Sequence, residues 1–128
     1  MHLQIDVAHV EGHTVLSPQG EIDFATGPAL TEAVTDALVA GDVHLVIDLS
    51  GVDFIESIGL GALIGGRRRA QALNGSLSLV CANDQTLKVF AITGLDRVFT
   101  IHRTLRAATA QPVDVGEAAW PTPQTERS

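Results

Sequence analysis

Short apolar runs along this chain alternate with stretches whose apolar residues recur at helical spacing. Leu3, Ile5 and Val7 alternate with Gln4 and Asp6, which predicts a half-buried strand. Val10-Glu11-Gly12 predicts a turn and Thr14 to Gln19 a second strand, so the chain opens with a hairpin. Pro18 predicts that the second strand lies at an edge or bends there. Thr26-Gly27-Pro28 predicts a helix start, with Thr26 or Gly27 as the cap and Pro28 in the first turn. Leu30, Ala33, Val34, Ala37 and Leu38 then fall on one helical face, and Gly41 ends the helix. Val43, Leu45, Val46, Ile47 and Leu49 form a nearly continuous apolar run, the mark of a strand covered on both faces.

A second helix is predicted from Ser57, as its N-cap, to about Leu73. Gly59, Ala62, Gly66 and Ala70 place small residues along one side of it, which permits close approach to a sheet. Gly65-Gly66 inside that helix costs about 1 kcal/mol per glycine relative to alanine. Asn74-Gly75 is a stop signal, and Leu77, Leu79 and Val80 predict another strand. Thr86 to Thr93 predicts a third helix, closed by Gly94 with Leu95 packing back on Phe90. Val98 to Ile101 predicts a short strand and Thr104 to Ala110 a short final helix. The order ββαβαβαβα implies an α/β layer with parallel neighbours after the opening hairpin. Residues 1–110 are expected to form one domain. Residues 111–128, with three prolines and little periodicity, are expected to form a mobile C-terminal tail in which Trp120 is idle or a small docking element.

Composition changes this picture in one respect. The 45% apolar content is ordinary for a globular protein, but the net charge of −7 is unevenly spread. Residues 1–66 carry ten carboxylates and no Lys or Arg, and all eight basic residues follow. So acidic a first half disfavours nucleic acid and favours a basic protein surface as partner. No apolar run is long enough to span a bilayer and no signal peptide is visible, so a cytoplasmic protein is expected, with no membrane contact. Cys81 has no second cysteine to pair with and sits in an apolar run, so a buried, inert thiol is expected.

Catalytic chemistry is hard to find. Neither a Walker A sequence nor a GxGxxG turn occurs, and the five histidines are scattered. His9 and His13 are four apart across a turn, a poor metal pair. No cofactor and no metal are expected, and the chain does not read as an enzyme. Ser57 is the residue of interest. A hydroxyl at a helix start lies at the positive end of the dipole, near free N–H groups that would stabilise a phosphoryl group. It is either a switch residue or an ordinary cap. Asp23 precedes the first helix and is expected near Ser57. It either orients the serine and accepts its proton, or only hydrogen-bonds its own turn.

Gly20-Glu21-Ile22-Asp23, Leu45 to Ser50, Val52-Asp53-Phe54-Ile55-Glu56-Ser57-Ile58-Gly59-Leu60-Gly61 and Ile92 to Phe99 together resemble the STAS domain of bacterial anti-sigma factor antagonists. The resemblance runs from about residue 2 to residue 110. It implies a mixed sheet with helices packed mainly on one face. It also implies a protein that binds an anti-sigma factor, typically a serine kinase with a histidine-kinase-like ATP-binding fold, and so frees a sigma factor. Phosphorylation of one serine would end the binding, and a PP2C-type phosphatase would restore it. Ser57 falls on the phosphorylated position and Asp23 on the nearby acidic position. The expected partner-binding residues are Glu21, Asp23, Thr26, Glu56, Ile58, Gly59 and Leu60. Glu56 stands where the family usually has Asp, and Ile58 where it has a second Ser or Thr, which leaves Ser57 as the sole hydroxyl in the motif. STAS domains also serve as adaptors or subunits of membrane transport or stress-sensing complexes without such a switch, and that role is the alternative.

Overall fold

The computed structural model describes residues 3–110. The expected tail from 111 to 128, Trp120 within it and His2 lie outside the described residues. The opening hairpin is present as β1 (Gln4–Val10) and β2 (His13–Ile22), paired antiparallel. Its two-residue turn places Glu11 and Gly12 at φ 52° and 85°, the left-handed geometry that matches strand twist. The chain continues through α1 (Gly27–Val39), β3 (His44–Asp48), a 3-10 turn (Leu49–Gly51), β4 (Val52–Ile55) and α2 (Ser57–Ala72). It ends with β5 (Ser76–Val80), α3 (Asp84–Thr93), a second 3-10 turn (Leu95–Arg97), β6 (Ile101–His102) and α4 (Leu105–Thr109).

The sheet runs β1-β2-β3-β5-β6, parallel beyond the hairpin, with β4 pairing β2 past the end of β3. Leu16, Leu45, Ile47, Leu77 and Leu79 share one core with Leu30, Val34 and Leu38 of α1, Leu60 and Leu63 of α2, and Phe90 of α3. Phe90 meets Phe99 edge to face at 6.2 Å. The alternate residues Val15, Val46 and Val80 form a smaller cluster under Ala108 of α4. Thus three helices cover one face and one short helix part of the other, an α/β fold with a mixed sheet.

Three local predictions need correction. The run after Asp48 holds an extra strand, β4, so the order is ββαββαβαβα. Its apolar period is disguised by a bulge. Gly20 pairs with Val52 and Glu21 with Phe54, so Asp53 has no partner and both Val52 and Ile55 face the core. The short strand expected at Val98–Ile101 begins only at Ile101. The 3-10 turn after Gly94 carries the chain through Val98, whose backbone is helical. Pro18 also proves to lie in an inner strand. β2 pairs β3 through Thr14–Leu16 and β4 from Gly20, so Pro18 occupies the interval where no parallel partner needs its missing N–H.

Candidate functional site

The pairing of β2 with β4 brings together the two strand ends from which α1 and α2 depart. Ile22 pairs with Ile55, and the Glu56 N–H donates to the Ile22 carbonyl at 2.8 Å. The turn Asp23–Thr26 and the start of α2 are therefore neighbours. A Cβ placed on Gly27 would lie 3.0 Å from Cγ1 of Ile58, so the first turns of the two helices touch.

Ser57 is the first residue of α2, not its N-cap as its sequence context suggested. Glu56 occupies the cap, with extended backbone and no side-chain hydrogen bond to the helix. Glu56 takes the cap because its own N–H is spent on β2, so the chain is still strand-like there. The Glu56 carbonyl accepts from Gly59 (2.9 Å) and Leu60 (3.1 Å), leaving the N–H groups of Ser57 and Ile58 without a backbone acceptor. The Ser57 side chain is exposed and is held by no hydrogen bond among the described residues. Among the described residues, a hydroxyl with no hydrogen bond, two N–H groups with no backbone acceptor and the start of a 16-residue helix coincide here.

Asp23 is committed to its own turn. Its Oδ1 accepts from Ala25 N (2.9 Å), Thr26 N (3.0 Å) and, more weakly, Thr26 Oγ1 (3.1 Å). The Thr26 backbone N–H chiefly, helped by the Thr26 hydroxyl and Ala25 N–H, holds the Asp23 carboxyl below the usual carboxylate range. That stabilisation makes it a weaker proton acceptor than an ordinary carboxylate. Thr26 is at the cap of α1 but does not cap it through its side chain. Its hydroxyl donates to the Glu21 carbonyl (2.7 Å) and accepts from Asp23 N (2.9 Å). The Asp23–Thr26 pair therefore closes a turn whose second carboxylate oxygen, Oδ2, takes no hydrogen bond among the described residues.

The other expected contact residues divide by exposure. Glu21, Glu56 and Ile58 are exposed and Asp23 is half-buried. Thr26, Gly59 and Leu60 are buried and can reach a partner only through the residues they hold in place. Gly59 is structural: a Cβ there would stand 2.5 Å from Ile22 Cγ2 and 2.8 Å from Ile55 Cγ1. Sequence reasoning missed Phe24, which follows Asp23 and is 79% exposed at the turn beside Ser57. Its only signal is an aromatic residue between a strand end and a helix start, outside both apolar patterns. Asp53, Glu56, Asp23 and Glu21 give this end of the molecule its negative charge. Cys81, by contrast, is fully buried, and burial raises its thiol above the ordinary range.

No group of three or more metal-ligating side chains occurs among the described residues, and no helix there is long and apolar enough to cross a membrane. The STAS domain profile matches residues 4–108. The anti-sigma-F factor antagonist RsfB of Mycobacterium tuberculosis is 34% identical over 106 residues, covering 83% of this chain and 86% of that protein. The anti-sigma-B factor antagonist of Bacillus subtilis is 31% identical over 101 residues, covering 79% and 92%. The crystal structure of an anti-sigma factor antagonist from Mycobacterium paratuberculosis superposes with a TM-score of 0.78 at 33% identity, covering 84% of this chain and 92% of that one.

Proposed function

The chain belongs to the STAS-domain family of anti-sigma factor antagonists, and we propose that it binds an anti-sigma factor of the serine-kinase type, releases a sigma factor, and is switched off by phosphorylation at Ser57. The observation that carries the proposal is the state of Ser57. Its hydroxyl is exposed and unbonded at the start of α2, beside two N–H groups with no backbone acceptor. The hydroxyl can accept a phosphoryl group, and the N–H groups can donate to its oxygens without rearranging the helix. A phosphate brings about −1.5 to −2 charges. Placed next to Glu56, Asp53 and Asp23, it would crowd and repel a partner that had docked on the unmodified surface. The switch thus acts by charge and desolvation at the interface.

In this reading the chain is a binding protein and phosphoacceptor, not an enzyme. With Asp23 Oδ1 engaged in its own turn, the kinase partner orients the Ser57 hydroxyl and takes its proton in this reading. The contacts are made by Asp23, Glu21, Glu56, Ile58 and Phe24, with Thr26, Gly59 and Leu60 fixing their positions. A PP2C-type phosphatase would return the chain to its binding form. The test is reconstitution. A labelled sigma factor is bound to its anti-sigma kinase, and the unphosphorylated chain is titrated in while anisotropy is followed. Release of sigma at near-stoichiometric chain is expected. No release by folded chain in excess would refute the proposal.

A further inference from the structure

At the end of the helix layer away from Ser57 lies an open cleft of about 450 Å³. Leu38 and Val39 of α1, with Ala72 and Leu73 at the end of α2, give it aliphatic walls, and Thr35 and Arg69 form one edge. Val39 and Leu73 are 82% and 51% exposed, so the fold leaves both largely uncovered. Ser57 to Arg69 is about 18 Å of helix at 1.5 Å per residue, so the cleft stands apart from the acidic end that carries Ser57. We propose that this cleft seats the indole of Trp120 from the same chain.

The chemistry of the cleft suits an indole. Arg69 is held at its edge, with Nη1 donating to Thr35 Oγ1 (2.8 Å) and Nε to the Gly65 carbonyl (3.3 Å). A guanidinium fixed beside aliphatic walls can lie against an aromatic face. Thr35 Oγ1 keeps a second lone pair, which can accept from the indole N–H, the one polar group that a covered tryptophan has to satisfy. A purely aliphatic occupant would use neither feature.

Reach selects Trp120. The described chain ends at Ala110, which lines a second cleft with Val10 and Glu11 at the tip of the opening hairpin. His9, beside that tip, lies 3.5 Å from Asp42 (Nε2 to Oδ2), and the Asp42 N–H donates to the Ala37 carbonyl at the end of α1 (2.9 Å). Ala110 and the proposed cleft are therefore at the same end of the molecule, on opposite faces of the sheet. Two packed layers at about 10 Å each separate them by roughly 20 Å. The ten residues from Gln111 to Trp120 span about 33 Å when extended, enough to round the sheet end past His9 and Asp42. Trp120 is the single tryptophan and the one Phe, Trp or Tyr after Phe99.

The test is tryptophan fluorescence of the full chain, which reports Trp120 alone, with acrylamide quenching and a thermal melt of each variant. The native chain should emit to the blue of the urea-unfolded chain and be quenched several-fold less. Val39→Glu and Leu73→Glu, each placing a charge at an exposed position of the cleft, should move emission and quenching to the unfolded values while the domain still melts cooperatively. Ile92→Glu, at an equally exposed apolar position of α3 outside the cleft, should change neither. Independently of these variants, Trp120→Ala should shift the backbone amide resonances of Val39 and Leu73 and leave those around Ser57 in place. Native emission and quenching equal to the unfolded values would overturn the proposal, as would a blue shift that survives both glutamate substitutions, or amides of Val39 and Leu73 unmoved by Trp120→Ala. A blue shift lost on dilution would make the occupant the Trp120 of a second copy, and the proposal would be wrong.

Discussion

A glycine-to-alanine series along α2 tests the packing that positions Ser57. Each substitution gains helix propensity of about 1 kcal/mol. At Gly61 and Gly65 the added methyl meets nothing within 4 Å, so that gain should appear nearly whole, as about 0.5–1 kcal/mol of added stability. At Gly59 the methyl would stand 2.5 Å from Ile22 Cγ2 and 2.8 Å from Ile55 Cγ1, both in the buried core. Overpacking of this kind costs about 1–3 kcal/mol. The methyl cannot be relieved by swinging a flexible tip, because both neighbours are β-branched and lie in the paired strands β2 and β4. Gly59→Ala should therefore be destabilising by up to about 2 kcal/mol after the propensity gain is subtracted. Gly66 is intermediate: 3.0 Å to Val34 Cγ1 and 3.2 Å to Leu77 Cδ1 require a shift of a few tenths of an ångström, and the substitution should be close to neutral. Urea titration gives these differences directly, and in a domain of this size about 1 kcal/mol moves the melting temperature by about 4 °C. A Gly59→Ala variant as stable as Gly61→Ala would refute the close packing of α2 on the β2–β4 junction.

Three further outcomes follow from the site. Ser57→Ala should change stability by only a few tenths of a kcal/mol, because the hydroxyl caps nothing, whereas Asn83→Ala should cost about 1 kcal/mol, since the Asn83 side chain accepts from Gln85 N (2.8 Å) and Thr86 N (3.3 Å); denaturant melts of the two variants decide it. Asp23→Asn keeps an oxygen for the turn while removing the charge, so it should weaken partner binding more than Asp36→Asn in the exposed part of α1, with an on-rate gap that narrows as salt rises; equal on-rates at low salt would make the acidic end mere solvated surface. Cys81 should resist alkylation at pH 8 in the native protein and react on unfolding, and because its native pKa is raised, the stability it contributes is present below the ordinary thiol pKa and falls as pH rises through and above it, as denaturant melts between pH 7 and 10 would show.

Much of the fold is legible because its apolar periods are clean. Leu30 to Leu38 mark one helical face, and the run Leu45 to Ile47 marks a strand buried on both sides. β4 was hidden because the bulge at Asp53 breaks the two-residue period in a strand only four residues long. The strand expected at Val98 gave way because Gly94, at φ 76°, turns the chain into a 3-10 segment before it can extend. In the candidate site, Ser57 and Asp23 stand out from their places before helical runs, but their hydrogen bonding does not. Whether a residue is the cap or the first helical residue depends on where the preceding N–H goes, and Glu56 spends its N–H on Ile22 across the sheet, a contact 34 residues away in sequence. The roles of the glycines are hidden for the same reason: Gly59, Gly61, Gly65 and Gly66 look alike in sequence, and only packing separates Gly59, where a methyl would press on Ile22 and Ile55, from Gly61 and Gly65, where it would have room.

The most direct test of the switch is to incubate the chain with its anti-sigma kinase and ATP, map the phosphate by mass spectrometry, and measure affinity for the kinase before and after. The expected result is a single phosphate on Ser57, a loss of binding of at least a hundredfold, and a Ser57→Ala variant that binds and is never released. A phosphate at Ser50 or elsewhere, no phosphate with a kinase active on another antagonist, or unchanged affinity after modification at Ser57 would contradict it.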